Sequence, residues 1–570
     1  MLGLAPHRST SSTARLPAEH PISNRLRALL TPAPDRLAIS TGLFFAILTI
    51  EACALFVLRL PGTLGFSGYA FGDTGANLTA QYLIDRGYRP TIDFMYHYGL
   101  LPLWLGRLWF GIFGLSPFAC VALVPIFDLL IVWGFVRLAA NLKLNLAGIL
   151  IILLTAAQTI PPTFPNIAHR IEPIFLLQAL AEQAGGNRRR ALAFAAATLF
   201  VKPSMAYFLG LLLIAFILID WQRNPARGMR ELASEMYPAA IVTGAIAATL
   251  FAYFGIAPVI RSLIPSQGST MYRALSYGLF GPEGRAFLAP RGAPWIHYFA
   301  DVAGPWIAYT AALLVAASFS ARDTLTNLGK RIDSTLEMIL TCALLHLSFI
   351  FFFFGNQYSW SYYFYLPVIG LAAAARLGTR WEFLIIFLAL AGPLRRFDKF
   401  IIQHLLLTPR DASAAKRNPA VAMPYVEATT VVAAAPAVTS FEYRDWFTTA
   451  PSPTTAGLWA TRDERAEWTS VLAIIRGHQA AMLQLDGCAD LLFSQLSPPV
   501  TLYLVPGAVV GADLSRKLAQ LQASTMIVMP RWDSGLLEKT SAIGSLVRRD
   551  FVPVFQGTFF IVYARRTTSD

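Results

Sequence analysis

Ionisable and aromatic side chains are concentrated in one stretch, "FGDTGANLTAQYLIDRGYRPTIDFMYHYG", which covers residues 71–99 between hydrophobic segments. In "FGD", glycine beside Asp73 lets the backbone approach a ligand closely, and a carboxylate can act as a general base on a hydroxyl group. Asp93, Tyr96 and His97 follow in the same stretch. The stretch therefore contains the residue types needed for proton transfer and for binding a polar substrate.

A second set of ionisable residues lies further along the chain. The segment "NIAHRIEP" contains His169, Arg170 and Glu172 at the start of a hydrophobic run, and Lys202 lies in "VKPS" between two other runs. Arginine binds phosphate by a two-pronged contact and lysine binds it as a point charge. A base in one stretch and cations in the other suit a reaction in which a hydroxyl attacks while a phosphate departs. Glu172 could belong to that site or pair with a neighbouring helix.

Each of these residues also has a structural interpretation. Asp73 could cap the helix that begins near "TGANLTAQYL", since aspartate is a favoured N-cap residue. Asp93 could hold its loop through hydrogen bonds to the backbone. Arg170 and Lys202 could extend to lipid headgroups, and the aromatic residues 96–98 could anchor the chain at a membrane interface. The sequence leaves both interpretations open.

The composition indicates a membrane protein that must position these side chains between helices. Of 570 residues, 55% are hydrophobic and only 14% are charged, whereas soluble proteins average about 25% charged residues. The mean hydropathy is +0.52, and the apolar residues fall in repeated runs long enough to cross a bilayer. The net charge of +13 comes from short basic loops, and no basic-aromatic module suggests nucleic-acid binding. Membrane lipids are the expected surroundings.

Hydrophobic runs predict a mainly α polytopic protein with about eleven transmembrane helices. The predicted spans are 38–58, 117–139, 145–160, 166–184, 189–203, 204–221, 237–255, 295–319, 334–354, 358–376 and 381–396. The segment "GLLPLWLGRLWFGIFG" (99–114) contains an arginine and several glycines, so we predict an amphipathic helix in the interface.

The charges of the loops predict the orientation of the chain in the membrane, and the hydrophobic runs predict its domain organisation. The densest basic loops, including the "NRRR" run, fall on the side of the N-terminal tail, which is therefore predicted to be cytoplasmic. An odd number of spans then places the C-terminal region outside. The predicted segments are a flexible cytoplasmic tail (1–36), a transmembrane domain (37–397) with its first external loop at 61–116, a linker (398–440) and a periplasmic α/β domain (441–570).

The C-terminal region alternates strand-like and helical stretches, which is typical of a small α/β domain. It contains neither a dinucleotide-binding nor a P-loop motif. The four cysteines form no disulfide framework or metal-ligand cluster in the sequence. We therefore expect no cofactor and no metal site.

Three motifs in order resemble the GT-C superfamily of membrane glycosyltransferases, which includes protein O-mannosyltransferases and lipid A aminoarabinose transferases. They are "FGDTGAN" with Asp73 soon after the first span, "YRPTIDFMYHYG" with Asp93, and the interfacial "LPLWLGRLWFGIFG". The later "RRRALAFAAATLFVKPSMAYFLGLLL" resembles the stretch of small residues that leads to a lysine in that family. The resemblance covers about residues 38–400.

The resemblance implies a polyprenyl-phosphate sugar donor and an inverting transfer to a lipid, glycan or protein on the periplasmic face of a bacterial inner membrane. Asp73 would be the base and Asp93 a second site acid. Arg170, Lys202 and His169 would bind the donor phosphate, and Tyr96, His97 and Glu172 the substrate. Thr74 follows Asp73 where a paired acid is expected, which argues against a strict protein O-mannosyltransferase. A flippase or transporter of a lipid-linked sugar, or a non-catalytic assembly factor, are the alternatives.

Overall fold

The computed structural model of the chain is mainly helical in the part that it describes. It describes residues 41–64, 73–142, 144, 149, 152–153, 167–223, 228–264, 334–352, 366, 369–370, 462–484, 487–493, 495–502, 504, 511–531, 537 and 541–566. The predicted tail (1–36) and linker (398–440) lie outside these residues.

Ten helices are described before residue 400. They are α1 (Thr41–Leu64), α2 (Asp73–Asp85), α3 (Leu101–Phe113), α4 (Pro117–Leu142), α5 (Ile167–Ala184), α6 (Arg188–Leu199), α7 (Pro203–Arg223), α8 (Met229–Phe254), α9 (Ile256–Leu263) and α10 (Ser334–Phe352). The helix predicted over 99–114 is present as α3, which begins with a proline at its N-terminus and ends at Gly114.

Three helices in the described part are long and apolar enough to cross a membrane. They are Ala119–Leu142, Pro203–Arg223 and Met229–Phe254, at the positions of the predicted spans 117–139, 204–221 and 237–255. The predicted spans 145–160, 295–319, 358–376 and 381–396 lie outside the described residues, apart from isolated positions. The total of about eleven spans therefore stays a prediction.

Helix α6 is shorter than the span predicted over 189–203. It has 12 residues, which at 1.5 Å per residue is about 18 Å. The hydrocarbon core of a bilayer is about 30 Å thick, so α6 does not cross it by itself. Residues 200–202 continue the chain from α6 to Lys202, and the span predicted over 189–203 stays a prediction.

Buried ion pairs join the helices where α6 begins. The Arg188 guanidinium lies 2.5 Å from an Asp220 oxygen near the end of α7 and 2.9 Å from a Glu337 oxygen in the first turn of α10. All three side chains are almost fully buried, whereas Arg189 and Arg190 are exposed. The predicted "NRRR" loop is therefore only partly a solvated loop, since its first arginine connects three helices.

The C-terminal part contains a four-stranded sheet flanked by helices. The elements are α11 (Arg462–Ile475), β1 (Ala480–Met482), α12 (Ala489–Leu492), α13 (Gly511–Ala523), β2 (Met526–Pro530), α14 (Ser541–Asp550), β3 (Phe551–Gln556) and β4 (Phe560–Arg565). The strand order is β1-β2-β4-β3, with β1 parallel to β2 and the other pairs antiparallel. Strands and helices thus alternate where the sequence predicts an α/β domain; its separate folding and its location stay predictions.

The turn between β3 and β4 is held by a single carboxylate. Glu467 of α11 accepts hydrogen bonds from the backbone N–H groups of Thr558, Phe559 and Phe560 at 2.7, 2.7 and 2.6 Å. A Cβ atom at Gly557 would lie 2.1 Å from a Glu467 oxygen. Glycine at this position leaves room for the carboxylate to approach the turn this closely.

Replacing Arg188 tests the ion-pair cluster. Arg188→Ala leaves two buried carboxylates without a counter-charge, so we expect a loss of about 3–5 kcal/mol in the free energy of unfolding. Arg189→Ala removes an exposed arginine next to it and should change that free energy by less than about 0.5 kcal/mol. Thermal unfolding of the purified variants in detergent measures both changes in the free energy of unfolding. Equal losses in the two variants would contradict the assignment of Arg188 to a buried ion-pair cluster.

Candidate functional site

The loop before α3 and the turn before α7 are joined by backbone hydrogen bonds. The N–H of Gly99 donates to the carbonyl of Val201 at 2.9 Å, and the N–H of Leu101 donates to the carbonyl of Phe200 at 3.0 Å. Residues 95–99, called the site loop below, therefore lie beside Lys202. Two segments that are about a hundred residues apart in sequence meet at this point.

Gly99 makes this contact possible. A Cβ atom at this position would lie 2.0 Å from the Phe200 carbonyl oxygen and 2.8 Å from the Val201 nitrogen. Both are backbone atoms, which cannot turn aside as a side chain can. Gly99, at the end of "YHYG", is thus required because two backbone segments approach each other closely here.

Four polar side chains form a chain of contacts at this junction. The Tyr98 hydroxyl and His169 Nε2 are 2.9 Å apart, His169 Nδ1 is 3.8 Å from a Glu172 oxygen, and Lys202 Nζ is 3.4 Å from the same oxygen. His169 and Glu172 share one face of α5 because they are three residues apart. We call Tyr98, His169, Glu172 and Lys202 the Lys202 cluster.

The Lys202 cluster is largely removed from solvent. The side chains of His169 and Lys202 are each 11% exposed, and that of Glu172 is 3% exposed. At 1.5 Å per residue, His169 lies about 3 Å and Glu172 about 8 Å from the start of α5, so both lie within the first two turns of the helix. In such surroundings a charge interacts more strongly than in water, which suits a site that must bind a charged group.

Aromatic rings surround the cluster on the loop side. The Tyr98 ring centroid is 5.2 Å from that of His169, 4.1 Å from that of His97 and 5.6 Å from that of Tyr96. Burial, together with the nearby His169 and Lys202, lowers the pKa of His97 to about 3. The His97 imidazole is therefore neutral at neutral pH, and it contributes hydrogen-bonding and packing groups but no charge.

Arg170 points to a different partner from its neighbour His169. It forms an ion pair with Asp128 of α4, and both side chains are buried. Successive residues of a helix point about 100° apart, so Arg170 faces α4 while His169 faces the site loop. The structure places the predicted phosphate ligands His169 and Lys202 together, and it places Arg170 in an ion pair on the next helix.

Asp93 organises the loop ahead of the cluster. Its carboxylate accepts hydrogen bonds from the backbone N–H of Arg89 at 2.8 Å and from the Arg89 side chain at 2.9 Å. The Arg89 contact lowers the pKa of Asp93, which stays ionised. Thr91 between them has a φ of 64°, an uncommon conformation for a residue other than glycine. These contacts match the structural interpretation of Asp93.

Helix α2 begins at Asp73, the predicted general base. The Asp73 side chain lies outside the described part of the structure. Its roles as a base and as a helix cap both stay predictions.

Two residues, Tyr98 and Asp128, have partners that the sequence motifs do not identify. The sequence predicts Tyr98, with its neighbours, as a possible aromatic anchor, whereas the structure places its hydroxyl 2.9 Å from His169 Nε2. Asp128 is a lone acid in the apolar run "VPIFDLLIV", and an unexplained acid at membrane depth signals a buried partner. Within the described residues, no group of three histidine, cysteine, aspartate or glutamate side chains is placed to hold a metal ion.

Comparisons with known proteins give a structural match. No family model matches the chain, and no curated protein matches it. The chain is similar to the crystal structure of ArnT from Cupriavidus metallidurans bound to undecaprenyl phosphate, with 13% identity, a TM-score of 0.44, and coverage of 92% of this chain and 98% of that chain.

That protein is of the aminoarabinose transferase type that the sequence resembles. With 13% identity and a TM-score below 0.5, the match by itself assigns neither a fold nor an activity to this chain. The residues of the site therefore indicate what the chain can do chemically.

Adding a single methyl group at Gly99 tests the junction. Gly99→Ala should force the site loop away from residues 200–201 and lower the stability by about 1–3 kcal/mol, as overpacking does. Gly111→Ala is the matched control, since nothing lies within 4 Å of a Cβ atom there; in a helix it should be neutral or slightly stabilising. The melting temperatures of the two variants give the comparison, and an unchanged value for Gly99→Ala would refute the close contact.

Proposed function

We propose that the chain is an integral-membrane glycosyltransferase that moves a sugar from a polyprenyl-phosphate donor to a hydroxyl of a lipid, glycan or protein acceptor. The observation that carries the proposal is the Lys202 cluster. It places an ammonium group, an imidazole and a tyrosine hydroxyl in a largely buried position beside an aromatic loop. Such a site suits the departing phosphate of a lipid-linked sugar.

In this proposal Lys202 and His169 contact the donor phosphate. Lysine supplies a point charge for phosphate, and Glu172 holds the ammonium in place at 3.4 Å. Arg170 adds positive charge one residue further along α5, although Asp128 neutralises much of it. Tyr96, His97 and Tyr98 pack around the ligand, because sugars and lipid phosphates both bind next to aromatic rings and hydroxyl groups.

Asp73 is the proposed general base on the acceptor hydroxyl. It stands at the start of α2, directly after the glycine of "FGD". Deprotonating the acceptor as the sugar–phosphate bond breaks gives a single displacement with inversion at the anomeric carbon. No step in this scheme requires a metal ion or a cofactor, because Lys202 and His169 stabilise the charge of the phosphate.

The proposed location is the bacterial inner membrane, with the site on the extracytoplasmic side. The three long apolar helices support a membrane location by their length and composition. The cluster lies at the opposite end of α5 from the ion pairs of Arg188, the first arginine of the basic "NRRR" segment. By the positive-inside rule, the basic end faces the cytoplasm.

Removing the charge of Asp73 tests the base. In a strain that lacks the protein, the wild-type gene should restore a hexose or pentose to an envelope lipid, glycan or protein, as seen by mass spectrometry. Asp73→Asn should lower this transfer by at least about 100-fold, the usual contribution of a general base. Asp85→Asn, at the other end of α2, should transfer normally, since its exposed ion pair with Arg107 is worth little.

The result also distinguishes the alternatives. Normal transfer by Asp73→Asn would show that this carboxylate is not the base. If the protein were an assembly factor or a flippase, Asp73→Asn would lower sugar transfer in the strain only through an indirect effect. The purified wild-type protein would then transfer no sugar when supplied with donor lipid and acceptor.

The role of Lys202 can be measured as binding alone. Lys202→Met keeps most of the side chain's length but removes the charge. It should weaken the binding of undecaprenyl phosphate by about 10- to 100-fold, which corresponds to the free energy of one charge-assisted hydrogen bond. Arg190→Met removes an exposed cation and should bind as the wild type does. Native mass spectrometry of the detergent-solubilised variants gives both affinities. Equal affinities for Lys202→Met and the wild type would place the phosphate elsewhere.

A further inference from the structure

Helix α13 of the C-terminal part lies directly against the site loop. One carboxylate oxygen of Asp513 accepts a hydrogen bond from the backbone N–H of Met95 at 3.0 Å. Its other oxygen is 2.5 Å from the Arg516 guanidinium, which lies over the Tyr88 ring at 5.0 Å from the centroid. The Asp513 side chain is fully buried. A carboxylate from the end of the chain thus contacts the segment that carries Tyr98.

A second contact joins the same two parts of the molecule. The Thr79 hydroxyl of α2 donates a hydrogen bond to the carbonyl of Gly487, just before α12. Within the C-terminal part, Asp490 of α12 lies 3.8 Å from the buried ammonium of Lys517 on α13, and it accepts a hydrogen bond from Gln484 at 2.6 Å. The elements that contact the loop region are therefore connected to each other by buried polar groups.

The site loop is consequently held at both of its ends. At one end Asp513 binds the N–H of Met95, and at the other the N–H of Gly99 binds Val201. Tyr96, His97 and Tyr98 lie between these two hydrogen bonds. A three-residue segment fixed at both ends has few alternative conformations, so the direction of the Tyr98 hydroxyl depends on both contacts.

We propose that the C-terminal part is a clamp on the site loop through α13, with Asp513 as the positioning residue that holds Tyr98 against His169 in the Lys202 cluster. The consequence for phosphate binding rests on the proposed function, whereas the clamp itself does not. The C-terminal part thereby completes the site without supplying a reacting group. Asp513 acts through the Met95 backbone and touches neither donor nor acceptor in this scheme.

The experiment uses the full-length protein in detergent and measures two quantities for each variant. Hydrogen–deuterium exchange of peptides covering residues 94–100 reports the clamp, and native mass spectrometry reports the affinity for undecaprenyl phosphate. Asp513→Ala removes the acceptor, and we expect exchange at the site loop to become at least about tenfold faster. We expect the affinity to fall by a similar factor.

Two further variants separate positioning from general damage. Asp513→Asn keeps an oxygen that can accept the Met95 N–H, so it should restore most of the protection and most of the affinity. Asp550→Ala removes a carboxylate from the end of α14, where it pairs with the exposed Arg549, and it should change neither quantity. A loss in Asp550→Ala as large as that in Asp513→Ala would mean general destabilisation and would overturn the proposal.

The remaining outcomes are also decisive. Unchanged exchange at the site loop in Asp513→Ala would refute the clamp. Faster exchange with unchanged affinity would refute the link between the clamp and the Lys202 cluster. A wild-type protein that binds no undecaprenyl phosphate would contradict the proposed function, and the exchange data would then still decide the clamp on their own.

Discussion

The backbone contact between Gly99 and the Phe200–Val201 turn is the constraint on which the site depends. Two carbonyl groups of the turn accept N–H groups of the loop, and no side-chain atom fits between them. The distance between Tyr98 and Lys202 is therefore set by backbone geometry, which is stiffer than any pairing of long side chains. The hydrogen bond of Tyr98 with His169 and the salt bridge of Lys202 with Glu172 both require this distance.

The charged side chains of α5 belong to three groups with different surroundings, which are the Lys202 cluster, the Arg170–Asp128 pair and the Glu182–Arg137 pair. Near its start, Glu172 and His169 belong to a group that includes an aromatic loop and a lysine. Near its end, Glu182 pairs with Arg137, close in sequence to the fully paired Arg188. Buried ion pairs cost desolvation energy and are retained where they fix geometry or serve chemistry. Among these groups in the described part of the chain, the Lys202 cluster is the one beside a loop with further polar side chains, which is why we assign the chemistry there.

Much of the helical framework follows from composition and period. Apolar runs of sufficient length predict α4, α7 and α8, and the amphipathic pattern of residues 99–114 predicts α3. The alternation of strand-like and helical stretches predicts the sheet and helices of the C-terminal part. Helix α6 shows the limit of this reasoning, since it ends at Leu199, before the predicted boundary at residue 203, and hydropathy does not fix where a helix ends.

The sequence by itself determined the types of residue available for chemistry and the neighbours within one helix, such as His169 and Glu172, because a helix has a fixed period. Only the tertiary structure decided which of them act together. Lys202 meets Glu172, Arg170 turns instead to Asp128, and Asp93 is held by Arg89 in its own loop. Asp513 reaches Met95 across 418 positions of the chain. Such partners depend on how the helices and the sheet pack, and no local pattern records that packing.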